Sequence, residues 1–299
     1  MNYKLDFVRR RKWFYLISGA LLLLGLVSFL VQGLNLGIDF KSGTRVDVRI
    51  GHPYDLAEAK KVLTGLGYKD ANVRAAGNNK EVLVFRTNEV LSPDKVAKIR
   101  TAFQQKYGKN VDIQEQKVDP IIGQELVRNA IISVAVASIG IILYLTIRFE
   151  YRFAVSAVVA LLHDVLIVIG LFSLFQWEVD LVFVAAILTI VGYSVNDTIV
   201  IFDRIRENVE LHRPKKFEEL ARVVNESIHQ TLVRSINTVL TVVFGASTLL
   251  LFGGESIFYF SLALLLGLLF GAYSSIFIAS QIWLDWKWRS MNRAKPASE

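Results

Sequence analysis

The chain has 299 residues, 53% of them hydrophobic and none of them cysteine, and Lys and Arg exceed Asp and Glu to leave a formal charge of +7. Without cysteine there is no disulfide or thiolate–metal chemistry, and the four histidines (52, 163, 212 and 229) lack the spacing of a metal-ligand set. The apolar residues are gathered into long blocks, which excludes an ordinary water-soluble domain.

Six blocks, residues 13–32, 127–147, 153–175, 181–202, 235–252 and 257–284, are apolar over lengths that suit helices crossing ~30 Å of hydrocarbon, for which about 20 residues are needed. Outside residues 33–125, the basic residues gather in a few short segments. Arg9, Arg10, Arg11 and Lys12 precede the first block, Arg148 and Arg152 follow the second, and Arg204, Arg206, Arg213, Lys215, Lys216, Arg222 and Arg234 follow the fourth. Lys287, Arg289, Arg293 and Lys295 follow the sixth, while 176–180 and 253–256 carry none. The positive-inside rule then places both termini in the cytoplasm and argues against nucleic acid as a partner. Residues 1–12 form a cytoplasmic tail. Block one has too long an apolar run, and its exit Val31-Gln32-Gly33 too poor a cleavage site, for a signal peptide, so an uncleaved anchor is expected.

Residues 33–125 are the one long segment outside the spans and suffice for a small domain on the external, periplasmic side. Thr44-Arg45-Val46-Asp47-Val48-Arg49-Ile50 alternates as a half-buried strand does, and 54–65 set Leu56, Ala59, Val62 and Leu63 on one helical face before Gly65 and Gly67. A short strand near 71–76, a turn at Gly77-Asn78-Asn79 and a strand at 81–86 follow. A second helix opens at Ser92-Pro93 and buries Val96, Ile99 and Phe103, and a fourth strand begins at Val111. The order βαββαβ predicts a ferredoxin-like α+β domain, a fold that by itself names no function. Residues 203–234 form a cytoplasmic amphipathic connection, with Phe217, Leu220, Val223, Val224 and Ile228 at helical spacing; it is expected to lie on the inner face or to pack on the bundle. Residues 285–299 are a cytoplasmic tail.

Ionisable residues inside the spans are the candidates for function, because a charge at the bilayer centre costs from ~3 to more than 10 kcal/mol. Span three holds His163-Asp164, span four holds Asn196-Asp197, and span five opens at Arg234. On a helical wheel Thr189, Gly192, Tyr193, Asn196, Asp197 and Asp203 share one side of span four, opposite Val184, Leu188, Val191, Val195 and Thr198. Arg234, Asn237, Thr238, Thr241, Gly245 and Thr248 share one side of span five, which predicts a hydrated seam between the two. Asp197 and Arg234 sit at similar depth. His163-Asp164 reads equally as a proton relay or as a hydrogen-bonded pair tying helices together, and Arg234 taken alone reads as a snorkelling anchor. In span six Ala263, Gly267, Gly271, Ser275 and Ala279 recur every four residues and predict close helix packing. An intramembrane hydrolase would need a nucleophile and base, such as a Gly-x-Gly-Asp site, that the sequence lacks.

Several strings resemble the SecF family of the SecD/SecF proteins, within the RND superfamily. They are Gly37-Ile38-Asp39-Phe40-Lys41-Ser42-Gly43, Leu162-His163-Asp164, the run from Val191-Gly192-Tyr193 through Asn196-Asp197-Thr198 to Asp203-Arg204-Ile205-Arg206-Glu207-Asn208, and Arg234-Ser235-Ile236-Asn237-Thr238. The resemblance spans nearly the whole chain, in order. It implies a six-helix RND-type half in the bacterial inner membrane, pairing with SecD, associating with the SecYEG channel and with YajC, and driving a translocating preprotein by the proton motive force. It implies no covalent catalysis, cofactor or metal. By the same resemblance Asp197 and Arg234, with Asn196 and Asn237 beside them, lie on the proton pathway, and Gly37, Asp39, Gly43 and Pro120 lie at the hinge of the external domain. The chain departs from the family's common pattern at Ser42-Gly43, often Gly-Gly, and at Val118-Asp119-Pro120, often Val-Gly-Pro. An exporter half of the same superfamily would carry larger external insertions, and a passive scaffold would leave the ionisable seam unexplained.

Overall fold

A computed structural model describes residues 6–41, 43–69, 71–76, 80–118 and 120–293; the expected turn at Gly77-Asn78-Asn79 lies outside them, as do Ser42 and Asp119. Among the described residues six helices are long and apolar enough to cross a membrane. They are α1 (Arg11–Gln32), α5 (Pro120–Arg148), α6 (Tyr151–Leu174), α7 (Leu181–His212), α8 (Phe217–Phe252) and the chain's last rod, α9 (Glu255–Ser274) joined by a π-turn (Ser275–Ala279) to α10 (Ser280–Arg293). Helices α6, α7 and α9 form the buried centre. The windows of α1, α5 and α8 are mostly uncovered, which in a membrane protein means faces left to lipid or to another chain.

Two features bring the central helices together. At the α1–α6 crossing, a Cβ on Gly25 would stand 2.8 Å from Gly170 Cα, so the backbones touch where neither residue has a side chain. Along α9 the small-residue ladder packs on α7: Gly267 lies against Ile190 and Gly271 against Ser194, where an added Cβ would stand 3.4 Å from the serine Cβ.

The segment 203–234 differs from the expected separate element. Residues 203–212 continue α7 and 217–234 run unbroken into α8, leaving 213–216 as the turn, with Arg213 in the left-handed conformation. Leu220, Val224 and Ile228 are fully buried in a cluster with Phe202, Ile205 and Trp283, so the amphipathic face packs on the bundle. Nothing in the sequence breaks the helix at the membrane boundary, and burying three such side chains favours the continuous rod by about 1.5–3 kcal/mol each. The last helix likewise continues through the expected tail to Arg293.

Between α1 and α5 lies the small domain. Strands β2 (Gly43–Arg49), β3 (Asn72–Ala76), β4 (Val82–Thr87) and β5 (Asp112–Val118) form one antiparallel sheet in the order β3-β4-β2-β5. With α3 (Leu56–Gly65) after β2 and α4 (Pro93–Tyr107) after β4, this is the ferredoxin-like arrangement. Val46, Val48, Leu63, Phe85, Ile99 and Phe103 form its core. Asp55 caps α3 by accepting from Ala57 N–H at 2.8 Å, and Pro93 occupies the first turn of α4. A cleft of about 480 Å³ separates the sheet's Asp47, Arg49 and Asp112 from Leu250 and Phe252 at the end of α8.

Candidate functional site

Among the described residues, two buried carboxyls, Asp164 and Asp197, mark polar sites inside the bundle. The first is closed. Asp164 of α6 is fully buried and accepts three hydrogen bonds: from the neighbouring His163 Nδ1 at 2.9 Å, from Ser194 Oγ of α7 at 2.6 Å and from Ser274 Oγ of α9 at 2.7 Å. One carboxyl thus ties three helices. The His163 ring stacks on Tyr273, with centroids 6.2 Å apart, while its Nε2 is buried with no hydrogen-bond partner among the described residues. Below this cluster Thr198 and Ser275 hydroxyls pair at 2.8 Å, and the helix opens into the π-turn, where Ser280 Oγ donates to Ser275 O at 2.9 Å. Single π-turns inserted in α-helices occur often at functional sites.

The second site is open. Asp197 of α7 is buried, yet its Oδ2 finds no hydrogen-bond partner among the described residues. Ser235 of α8 approaches it without reaching hydrogen-bond geometry, and Arg234 is close enough for its charge to act on the carboxyl. The adjoining cavity, about 10 Å³ lined by Tyr193, Ser194, Asn196, Thr238, Gly267 and Gly271, is at the lower limit for one water. It reaches from Asp197 to the serine that holds Asp164. Tyr193, Asn196, Arg234, Asn237 and Thr241 are exposed on the outer surface of α7 and α8. The structure therefore sets Arg234 within electrostatic reach of Asp197, and Asn196 at the edge of its cavity, with Asn237 on the exposed face of α8.

A family model described as protein export membrane protein SecD/SecF, C-terminal, matches residues 98–289, and another for the SecD/SecF GG motif matches 27–53. The chain belongs to the SecD/SecF family. It is 47% identical over 290 residues to the protein translocase subunit SecDF of Bacillus subtilis, covering 97% of this chain and 39% of that one. It is 44% identical to the protein translocase subunit SecF of Alicyclobacillus acidocaldarius, covering 98% of this chain and 96% of the other. Among solved structures it resembles SecDF of Thermus thermophilus, a translocon-associated membrane protein, with a TM-score of 0.86 and 34% identity over 96% of this chain and 39% of that one. A SecDF structure in a super-membrane-facing form matches with a TM-score of 0.70 and 32% identity, over 98% and 40%. The chain thus spans about two fifths of the SecDF proteins and nearly all of a stand-alone SecF.

The segment that carries the SecD/SecF GG motif forms the joint between sheet and membrane core. Strand β1 (Asn35–Leu36) pairs in parallel with β6 (Glu178–Val179), which links α6 to α7. Gly37 N–H donates to Val179 O at 2.7 Å, and a Cβ there would stand 2.9 Å from Glu178 Oε1. In the short helix α2 (Ile38–Lys41), Asp39 Oδ2 accepts Leu181 N–H at 2.9 Å, so this acid caps α7 from another part of the chain. Asp180 Oδ1 accepts Phe183 N–H at 2.8 Å on the same helix end, and burial, with Asp39 adding to it, pushes the Asp180 carboxyl up. Gly43 opens β2 with φ +120°, and an added Cβ would strike Thr87 O, so only glycine fits. Pro120 is the first residue of α5.

Sequence reasoning missed the ion cluster behind this joint. Glu178 is 3% exposed and pairs with Arg86 of β4 and with Arg74 of β3, whose Nη2 is 3.6 Å away. Arg74 Nη1 also donates to Tyr259 OH of α9 at 2.7 Å and lies over its ring. Burial, with Arg74 and Arg45 nearby, pushes the Arg86 guanidinium down to about 10, still cationic at neutral pH. The absence of basic residues in 176–180 was the available signal, since it marks Glu178 as a charge that must find its partner elsewhere. Ser194, Thr198, Ser274 and Ser275 were also missed as site residues; by helical periodicity Thr198 falls on the apolar side of span four.

Proposed function

We propose that this chain is the SecF-type subunit of the Sec protein-export machinery, acting with SecD to promote preprotein translocation through SecYEG by the proton motive force after ATP-driven initiation. YajC would be a further neighbour. In this reading both termini are cytoplasmic, the sheet domain faces the periplasm near the emerging chain, and no covalent bond is made or broken. The observation that carries it is Asp197: a buried carboxyl with one unpartnered oxygen, beside Arg234, under a polar face on α7 and α8 that the six helices leave uncovered. A charge so placed is costly, and a second six-helix half closing over that face would provide what it lacks.

Protons enter the seam between the two halves and reach Asp197. Approach of the Arg234 guanidinium favours the ionised carboxyl and its withdrawal favours the protonated one. Each potential drop of 100 mV contributes about 2.3 kcal/mol per charge moved, enough to bias a two-state element. The response reaches the sheet through α7, whose first turn is held by Asp39 and whose preceding loop is held by Arg86 and Arg74. Gly37, Asp39, Gly43 and Pro120 therefore act as a clamp through which the domain follows α7.

The test is translocation of a preprotein into inverted vesicles with and without an imposed proton gradient. Asp197→Asn is expected to insert, to bind SecD and to lose the gradient-dependent stimulation; full stimulation across a range of gradients would defeat the proposal. Cysteines in place of Lys61 on α3 and Lys216 in the α7–α8 turn test sidedness: only the first should react with an impermeant thiol reagent added outside whole cells.

A further inference from the structure

At the end of the bundle that carries the termini, a groove of about 820 Å³ opens between the starts of α1 and α6 and the last turns of α10. Tyr15, Tyr151 and Trp286 line it, with Arg152, Arg289 and Asp285 among them. The proton path uses none of these residues. Tyr151 and Trp286 meet edge to face at 5.7 Å. Amphipathic aromatics at this level are those of a membrane–water boundary.

The charges around the groove do not cancel. Asp285 is taken by Arg11 at 3.1 Å and by Tyr15 OH at 3.4 Å, and Glu150 is taken by Arg152 and by Lys287 at 3.3 Å. Arg289 is exposed and has no acid within ion-pair distance among the described residues. Arg152 donates from Nη1 to Glu150 and from Nη2 to Ser290 Oγ at 2.9 Å, and each of these nitrogens carries a second N–H. Four cations thus stand against two carboxylates, and two guanidiniums in the wall retain donors for an anion. From the mouth of the groove the exposed residues Tyr151, Val155, Val159 and Leu162 run as one apolar stripe along α6.

A phosphate site for a water-soluble ligand has no use for that stripe, whereas a phospholipid needs both parts. We propose that this groove is a binding site for one anionic phospholipid, its phosphate held by Arg152 and Arg289, its glycerol region among the aromatic rings and its acyl chains along α6. The site rests on the reading of the helices as membrane spans and is independent of the proton path. Basic pockets between spans at the headgroup level suit such lipids, and each cation there contributes about 1 kcal/mol, or about fivefold in affinity.

Native mass spectrometry of the purified full chain titrated with phosphatidylglycerol is expected to show one retained lipid, with weaker retention of phosphatidylcholine. Arg152→Gln with Arg289→Gln should lower phosphatidylglycerol retention about tenfold or more and leave phosphatidylcholine unchanged. Since Arg152 also bonds within the protein, Arg289→Gln alone provides the same test, with about a fivefold loss. An equal loss in Lys215→Gln with Arg222→Gln, away from the groove, would overturn the proposal, as would displacement of the lipid by excess inorganic phosphate. Capture of protein rather than lipid by a photoreactive residue in place of Ile282 in native membranes would overturn it too.

Discussion

Asp164 and Asp197 are two buried carboxyls on adjacent helices, and their surroundings are opposite. Asp164 sits where three helices meet and accepts hydrogen bonds from His163, Ser194 and Ser274. Asp197 sits at the edge of the same bundle with an oxygen unmet and a polar surface beyond it. A satisfied buried group helps to fix a fold, while an unsatisfied one is a costly exception that calls for a water, an ion or a partner. The contrast lies in the two carboxyls themselves: Asp164 is bonded to donors on three helices, although its neighbour His163 keeps an Nε2 without a hydrogen bond among the described residues, and Asp197 keeps one oxygen open.

Substitutions that remove a closed charge should do the most damage. Glu178 belongs with Asp164 in this respect, and Glu178→Ala would leave Arg86 and Arg74 facing a hole, at a cost of about 3–5 kcal/mol. Protease sensitivity of the sheet domain, with intact helices, is the expected result. Asp164→Ala strands three donors and should cost about 3 kcal/mol or more, read as loss of the folded protein on heating in detergent. Ser274→Ala removes one of those donors and should cost about 1 kcal/mol. Asp197→Asn should change stability by less than about 0.5 kcal/mol while removing gradient-driven export, and adding Arg234→Met should make export no worse than either change alone. If Asp197→Asn unfolds the chain, or Asp164→Asn behaves as Asp197→Asn is expected to, the distinction between the two sites collapses.

The parts of this molecule legible in its sequence are those set by local pattern. Six apolar blocks, the alternation of Thr44–Ile50 and the Ser92-Pro93 helix start each depend on neighbours within a few residues, and the sheet order followed from their succession. Asp197 and Arg234 could be paired because each lies on a helix whose polar side and depth can be counted. Ser194 and Ser274 could not be assigned to Asp164, because a serine in an apolar helix reads as a small residue until its neighbour is known. Glu178 finds its cations about 90 and 100 residues away, which no periodicity reports. The continuity of α7 and α8 past the membrane boundary was hidden by the onset of charge, which marks where water begins and not where a helix ends.

Helix α8 has 36 residues, and Arg234 has 17 of them before it and 18 after. At 1.5 Å per residue the rod reaches about 25 Å to either side of that arginine. Its first residue, Phe217, packs edge to face on Trp288 near the termini, and its last, Phe252, borders the cleft under the sheet. Arg234 therefore stands at the midpoint of the rod. Were the rod to tilt by about 5° about that arginine, its two ends would shift by about 2 Å in opposite directions, and the proposed approach of Arg234 to Asp197 would then be felt at both of them.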